Sequence, residues 1–170
     1  MDITLADQYY LKAKDAYPYC MSEVMENLNY ALSYDDNHPQ ANCLMGIVQM
    51  YQLKDYPKAA ASFDMALMED GSYIDILKHY ILLKIWTKEY EGANKLIQYG
   101  FTIPGMDHAV LYYYMAIQYE VSGSYKKAIT AIKQAVMMSQ SMYLSNFYIA
   151  EIKRIKAKRK LRKKLLKPSK

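Results

Sequence analysis

The chain of 170 residues is long enough for a domain with its own hydrophobic core, and its 52% hydrophobic residues argue against general disorder. Only 6 Gly and 5 Pro interrupt it, which is too few for an all-β domain with many tight turns. Residues 151–170 contain 11 of the 22 Lys and Arg and one acid, a net charge of +10, whereas the first 150 residues contain 11 basic and 16 acidic residues, a net charge of −5. We therefore expect an acidic body with a basic appendage.

No targeting signal is predicted at the N-terminus. The segment "MDITLADQYYLKAKDAY" has Asp2 near its start and lacks the apolar core of a secretory signal peptide. The longest apolar run, "VLYYYMAIQY", is half of the ~20 residues that a membrane-spanning helix needs. Cys20 and Cys43 form no CxxC pair, so neither a zinc site nor a disulfide framework is predicted. We expect a cytoplasmic protein with reduced thiols.

Taken in chain order, the sequence predicts pairs of amphipathic helices. A weak first pair ends with Val24, Leu28 and Ala31 at helical spacing. The next helix, "PQANCLMGIVQMYQLKD", begins near Pro39, which favours a helix start, and "DYPKAAASFDMAL" follows it. The segments "DILKHYILLKIWTKEY" and "EGANKLIQYGF" form a third pair. The fourth consists of "HAVLYYYMAIQYEVSG" and "SYKKAITAIKQAV", and Gly123 separates its helices.

One pattern recurs in the second helix of three pairs. It starts at Tyr56, Tyr90 and Tyr125, which are 34 and 35 residues apart, and we expect each tyrosine just before its helix. A small, a large and a second small residue follow at helical spacing, namely Ala59, Phe63 and Ala66, then Ala93, Ile97 and Gly100, then Ala128, Ile132 and Ala135. The small residues would let a neighbouring helix approach closely, and the large residue would fill the space between helices. This period predicts stacked helix pairs, because one pair cannot bury its apolar face alone.

These residues resemble the tetratricopeptide repeat (TPR), whose unit is two antiparallel helices. The fourth pair matches position by position, with Ile132 in place of an aromatic residue, at Tyr112, Met115, Ala116, Tyr119, Tyr125, Ala128, Ile132 and Ala135. The second pair, with one extra residue between its helices, matches at Met45, Gly46, Tyr56, Ala59, Phe63 and Ala66. The third departs at Ile81, where a small residue is typical, and the first matches only at Val24 and Leu28. The resemblance covers about residues 5–138.

The resemblance implies an all-α fold, a right-handed superhelical array of antiparallel helix pairs that forms a TPR-like α-solenoid with a C-terminal helix. We expect a repeat domain at residues 1–150, with repeats at about 5–38, 39–72, 73–106 and 107–140. The weak first repeat suits a capping role at one end of the array. Residues 141–170 are expected to form a capping helix that packs through Tyr148, Ile152 and Ile155 and then runs into the basic tail.

No catalytic, cofactor-binding or metal-binding site is predicted from the sequence. His38, His79 and His108 are 41 and 29 residues apart with no HExxH motif, so we expect histidines on the surface or in turns. The sequence also has no glycine-rich phosphate-binding motif and no GxSxG motif. Acidic pairs lie at expected helix ends, at Asp35–Asp36 and Glu69–Asp70. The cysteines are expected to be core or groove residues, and we predict a protein that is not an enzyme.

In the resembled family, the first helix of each repeat lines a groove that receives a segment of another protein. Carried over by position, the resemblance implies a partner groove lined by Cys43, Ile47, Met50, Tyr51, Lys78, Leu82, Trp86, Val110, Tyr113, Ile117 and Glu120. This groove would be apolar and aromatic, and Lys78 alone does not form the carboxylate clamp of the family's chaperone-tail binders. For any single position, packing in the core is the more common outcome. A partner segment, a second copy of the chain or its own C-terminal helix would cover an open apolar groove.

The basic tail allows several interpretations. A solvated helix end, a nucleic-acid contact, an anionic membrane contact or an acidic-protein contact would all use Lys158, Arg159, Lys160, Arg162, Lys163 and Lys164. We predict a non-enzymatic scaffold or adaptor that binds a partner segment, as a component or chaperone of a larger assembly or secretion system. The alternative is an accessory protein that binds nucleic acid or an anionic membrane through the tail. Deletion of residues 153–170 would distinguish them, because only the second would lose its ligand.

Overall fold

The computed structural model describes residues 3–166, which contain nine α-helices and no strand. The helices are α1 (Leu5–Ala16), α2 (Met21–Tyr34), α3 (Pro39–Tyr51), α4 (Tyr56–Glu69), α5 (Ile74–Trp86), α6 (Tyr90–Gly100), α7 (His108–Val121), α8 (Tyr125–Met138) and α9 (Met142–Leu165). The prediction of an all-α fold is confirmed. By its internal contacts the chain divides into two compact units, Met1–Leu83 and Lys84–Lys170, and this boundary falls within α5. The predicted repeat limits, and the division into residues 1–150 and 141–170, stay predictions.

Unit 1, residues 1–83, contains two closely packed helix pairs, α1 with α2 and α3 with α4. Helix α2 also packs on α3 and so joins the two pairs. The shared core consists of Ala13, Val24, Leu28, Ala31, Ala41, Leu44, Met45 and Val48. The first pair matched the repeat weakly in sequence, yet Val24 and Leu28 are fully buried. Its departures from the pattern therefore do not prevent it from packing as a helix pair.

Unit 2, residues 84–170, is centred on the pair of α7 and α8, with α9 packed along α8 and α6 against α7. Its core consists of Ala109, Ala116, Ala128, Ile129, Ala131, Ile132, Ala135, Tyr148 and Ile155. The last two come from α9, and Ile152 of the same helix is partly buried against this core. The face of the C-terminal helix that was predicted to pack therefore lies on the core of unit 2.

The repeated pattern occupies the helices α4, α6 and α8. Helices α4, α6 and α8 begin at Tyr56, Tyr90 and Tyr125, so each tyrosine is the first helical residue and not, as predicted, the residue before the helix. The difference is one position, which is within the ordinary uncertainty of a helix end. The nine small and large positions that follow are all buried, namely Ala59, Phe63, Ala66, Ala93, Ile97, Gly100, Ala128, Ile132 and Ala135. The predicted packing face is therefore confirmed.

Two glycines mark places where neighbouring helices approach each other closely. A Cβ atom added to Gly46 in α3 would lie 2.7 Å from Cε1 of Phe63 in α4. A Cβ atom added to Gly100 in α6 would lie 2.9 Å from Cδ2 of Leu111 in α7. Both distances are shorter than a van der Waals contact between carbon atoms. A side chain at either position would force its neighbour to shift, which agrees with the small residues that the pattern predicts there.

Ala128 tests this packing, because it is fully buried where α8 meets its neighbours. We expect Ala128→Tyr to lower the free energy of unfolding by about 1–3 kcal/mol or more, since the ring overpacks the core. Thermal melts followed by circular dichroism measure the effect. Gln134→Tyr puts the same ring on the exposed face of α8 and serves as the control. An unchanged melting temperature for Ala128→Tyr would mean that this position is not a close-approach site.

The turn before each repeated tyrosine contains a residue with a left-handed φ angle. Lys54, Lys88 and Gly123 each lie two residues before the tyrosine, with φ angles of 56°, 63° and 80°. The left-handed region suits glycine, whereas a residue with a Cβ atom is strained there by about 1 kcal/mol. Glycine therefore avoids the strain at one of these turns, and lysine is strained at the other two.

We expect Lys54→Gly and Lys88→Gly each to raise the free energy of unfolding by about 0.5–1 kcal/mol, because relief of the strain exceeds the greater entropy of glycine in the unfolded chain. Urea denaturation measures the change. Lys95→Gly, in the exposed interior of α6, is the matched control and should lower the same quantity by about 1 kcal/mol. If the two turn variants instead lower the free energy of unfolding, the lysine side chains stabilise the fold by more than the backbone strain destabilises it.

Candidate protein-interaction surfaces

The predicted groove residues of unit 1 differ in their exposure. Cys43 and Met50 of α3 are 2% and 0% exposed, so both pack inside the unit. The other members are half-buried, and they are Ile47, Tyr51, Lys78 and Leu82. Only these four are accessible enough to contact a partner in this conformation. They form what we call the unit 1 surface, and its role in binding stays a prediction.

Tyr51 is held in place by a histidine of α5. Its hydroxyl lies 3.1 Å from Nδ1 of His79 in α5, and the two rings meet edge to face with centroids 5.6 Å apart. Burial lowers the pKa of His79, which favours the neutral imidazole, and burial also raises the pKa of Tyr51. His79 therefore lies within a helix and packs on aromatic side chains, whereas we predicted a surface or turn histidine. This contact gives the unit 1 surface an ordered aromatic residue.

The two cysteines are free and lie in different environments. Burial raises the pKa of Cys43 to about 12, so its thiol is protonated and poorly nucleophilic at neutral pH. Cys20 is exposed at the start of α2, where we predicted a core or groove residue. Sequence reasoning missed this because helical spacing does not identify the end residue of a helix.

His38 links the first and second helix pairs of unit 1. It is 4% exposed and caps α3, since its Nδ1 accepts a hydrogen bond from the N–H of Ala41 at 3.1 Å. Its Nε2 lies 3.0 Å from Oδ1 of Asp7 in α1 and donates to that carboxylate. Hydrogen bonds from Thr4 and then His38 hold the pKa of Asp7 at about 2. The expected turn position is correct, but the side chain is buried and structural.

The predicted groove residues of unit 2 include a prominent exposed aromatic residue. Trp86, at the end of α5, is 43% exposed, while Val110, Tyr113 and Ile117 of α7 are half-buried. These four residues form what we call the unit 2 surface. Helix α9 covers part of it, because the ring of Tyr113 contacts the rings of Phe147 and Tyr148 with centroids 5.4 Å apart in each case. The chain's own C-terminal helix therefore takes up one edge of this surface.

Glu120, the remaining predicted groove residue, ties α7 to α9. It is 8% exposed, and its carboxylate accepts hydrogen bonds from Nη1 of Arg154 at 2.7 Å and Nζ of Lys158 at 2.8 Å. Arg154 also donates from Nε to Glu151 at 2.8 Å. These bonds, that from Arg154 above all, lower the pKa of Glu120. Glu120 and Lys158, which we had assigned to the groove and the anionic-partner tail, thus have partners within the chain.

Replacement of this carboxylate should weaken unit 2. We expect Glu120→Gln to lower the free energy of unfolding at neutral pH by about 1–3 kcal/mol, because it leaves Lys158 without a counter-charge and Arg154 with that of Glu151 alone. The pKa of Glu120 is lower in the folded than in the unfolded protein, so its ion pairs stabilise the fold fully above the unfolded pKa of about 4.3. This stabilisation is lost as the pH falls through the folded-state pKa of Glu120. The difference between wild type and variant should therefore shrink as the pH falls below about 4.3 in urea titrations.

The exposed pair of Glu91 and Lys95, with 3.5 Å between Oε1 and Nζ, supplies the control for that experiment. Glu91→Gln should change the free energy of unfolding by less than about 0.5 kcal/mol, since solvent screens exposed ion pairs. Equal effects of the two substitutions, or a difference for Glu120→Gln that does not depend on pH, would contradict the role of Glu120.

One apolar surface was not predicted from the sequence. It lies at the turn between α8 and α9, where Met137, Met142 and Tyr143 are 78%, 82% and 80% exposed and Met138 and Phe147 are partly exposed. Methionine and tyrosine suit contact surfaces because they are large and adaptable. The unusual number of Met and Tyr in the sequence pointed to contact surfaces in general, but periodicity did not identify this turn.

Neither a metal site nor a membrane span is found in the part of the chain that the structure describes. Within residues 3–166, no three His, Cys, Asp or Glu side chains are grouped so that they could hold a metal ion. Over the same residues, every helix is too short or too polar to cross a bilayer.

Comparisons with known proteins identify the fold. No protein-family model and no curated protein sequence matches the chain. Among solved structures, the crystal structure of MamA protein superposes with a TM-score of 0.69 at 15% identity and covers 92% of this chain and 85% of its own. A MamA RS-1 double mutant and MamA from Desulfovibrio magneticus RS-1 each give a TM-score of 0.67 at 15% and 16% identity, covering 92% of this chain and 98% of theirs. MamA is TPR-like, and likeness at this low identity concerns the fold, so the chain has a TPR-like helical-repeat fold.

Proposed function

We propose that this protein is a non-enzymatic scaffold that binds segments of other proteins on the unit 1 and unit 2 surfaces, as part of a larger assembly. The observation that carries the proposal is the partial exposure of apolar side chains on the first helices α3, α5 and α7, outside the faces that pack in the core. Ile47, Leu82 and Ile117 are half-buried there, and Trp86 is 43% exposed. Exposed apolar side chains in rows are typical of surfaces that bind a partner.

The chemistry of the two surfaces favours an apolar protein segment over a charged ligand. The unit 1 surface has one cation, Lys78, and its Nζ already lies 3.0 Å from Oδ1 of Asp75. The unit 2 surface consists of Trp86, Val110, Tyr113 and Ile117. Large aromatic side chains carry a disproportionate share of binding energy at protein interfaces. We infer that a helix or extended segment with apolar anchors is the ligand.

The MamA-like fold supports an interaction scaffold, although it names no partner for this chain. A chaperone role, a place in a secretion system and a cytoplasmic location all stay predictions. Because Tyr113 already packs against Phe147 and Tyr148, the chain itself occupies part of the unit 2 surface. Self-association through the remaining parts of the two surfaces is the second way in which they would be covered.

The chain has a single tryptophan, Trp86, which therefore reports directly on the unit 2 surface. The partner would be captured from a native extract, identified by mass spectrometry and produced in pure form. On its addition we expect a blue shift of the tryptophan emission and weaker quenching by acrylamide, because Trp86 becomes buried. Binding that leaves the emission unchanged would place the partner elsewhere on the protein.

We expect Trp86→Ala to weaken the affinity for that partner at least tenfold, about 1.4 kcal/mol, in isothermal titration calorimetry. Met68→Ala is the control, since Met68 is an exposed apolar side chain on the second helix α4 and is 87% exposed. Its effect should be less than about twofold. Unchanged affinity for Trp86→Ala, with the circular dichroism spectrum intact, would remove Trp86 from the interface.

A further inference from the structure

The face of α9 that packs on α8 changes from apolar to basic along the helix. Tyr148, Ile152 and Ile155 lie on the core of unit 2, as described above. Arg159 and Arg162 follow at helical spacing on the same face. The end of the contact between these two helices is therefore lined by cations, and the side chains there do not form a closed core.

A cavity of about 690 Å³ opens at this end of unit 2. Five of its lining residues are basic, and they are Lys126, Lys127, Arg159, Arg162 and Lys163. The others are Gly123 and Ser124 in the turn before α8, Tyr125 at the start of α8 and Leu166 at the end of α9. A neighbouring cavity of about 560 Å³ shares three of the cations and adds Lys156 and Lys160. The positive charge is therefore gathered in one place and is not spread evenly around α9.

No carboxylate compensates the five cations among residues 3–166. The two acidic residues that contact α9 side chains, Glu120 and Glu151, are already bonded to Arg154 and Lys158. Aromatic rings support two of the five, since the guanidinium of Arg162 lies 5.6 Å from the ring centroid of Tyr125 and the ammonium group of Lys127 lies 5.8 Å from that of Tyr119. Of the six cations predicted to contact an anionic partner, Lys158 is therefore neutralised by Glu120, and the other five have no carboxylate partner among residues 3–166.

We propose that this cavity, which we call the cationic cavity, binds the phosphate groups of a small polyphosphorylated ligand. Like charges held close together repel one another, and a polyanion that contacts several of them removes the repulsion. Guanidinium groups present paired N–H donors that match the oxygen atoms of a phosphate, and two of the five cations are arginines. The volume lies within the range of small-molecule sites, about 300–1,000 Å³.

Phosphate fits the cavity better than carboxylate does. A terminal phosphate carries nearly two negative charges, so a few phosphates held together neutralise five cations in a cavity of this size. An acidic peptide brings one charge per side chain, so it needs more groups to supply the same charge at one place. The proposal is independent of the scaffold function, since the cationic cavity shares no residue with the unit 1 and unit 2 surfaces.

The test measures the binding of inorganic tripolyphosphate to the full chain by isothermal titration calorimetry at low ionic strength. We expect saturable binding that Arg159→Gln/Arg162→Gln weakens at least tenfold. Lys153→Gln/Lys164→Gln removes the same net charge from exposed positions of α9 that line neither cavity, and it should weaken binding less than twofold. Circular dichroism confirms that both variants fold. Absence of binding to the wild type, or an equal loss in both variants, overturns the proposal.

Two further experiments identify the kind of molecule that supplies the anionic groups. Vesicles of phosphatidylcholine with phosphatidic acid, in a sedimentation assay, present the same group on a membrane surface. Sedimentation that tripolyphosphate competes away and that Arg159→Gln/Arg162→Gln abolishes would support a phosphate site that takes a lipid headgroup. Poly-L-glutamate presents carboxylates instead. Tighter binding of poly-L-glutamate than of tripolyphosphate, with the same dependence on the two arginines, would overturn the phosphate proposal in favour of an acidic protein segment.

Discussion

Close approach of neighbouring helices at small residues is the constraint on which the rest of the structure depends. Gly46 lies against the ring of Phe63, and Gly100 lies against Leu111, with no room for a Cβ atom on either glycine. Helices that approach this closely bury their small and large positions together, so these faces are closed to any partner. The other side of the first helices remains partly accessible. The proposed interaction surfaces are thus a consequence of how the pairs are packed.

The charged residues are distributed unevenly between the two units. Residues 1–83 carry 5 basic and 12 acidic residues, whereas residues 84–170 carry 17 basic and 5 acidic residues. Glu120 shows how the two kinds of interaction meet, because it binds Arg154 and Lys158 where α9 changes from an apolar to a basic helix. Before that point α9 completes a core, and beyond it the side chains line an open cavity. One helix therefore supplies both the end of the hydrophobic core and a positively charged site.

The sequence predicted those features that depend on local spacing. The period of Tyr56, Tyr90 and Tyr125 located three helices, and the small and large positions after them gave the buried face, because side-chain direction in a helix follows from residue number. Contacts between distant residues were not predictable in this way. Spacing within one helix cannot indicate that Glu120 meets Arg154 in another helix, or that His38 caps α3 and bonds to α1. Cys43 and Met50 also proved buried, since α3 is apolar on most of its circumference and periodicity cannot separate its faces.

Hydroxyl-radical footprinting with mass spectrometry, on the chain alone and bound to its captured partner, tests the scaffold account most directly. The method suits this chain because tyrosine, tryptophan and methionine side chains react readily, and the chain has 19 Tyr, 12 Met and the single Trp86. The account predicts that oxidation decreases at Tyr51, Trp86 or Tyr113, which lie on the first helices. It predicts no change at Met68, which lies on a second helix. Protection confined to Met68, or to Met137 and Tyr143 at the turn between α8 and α9, would contradict it.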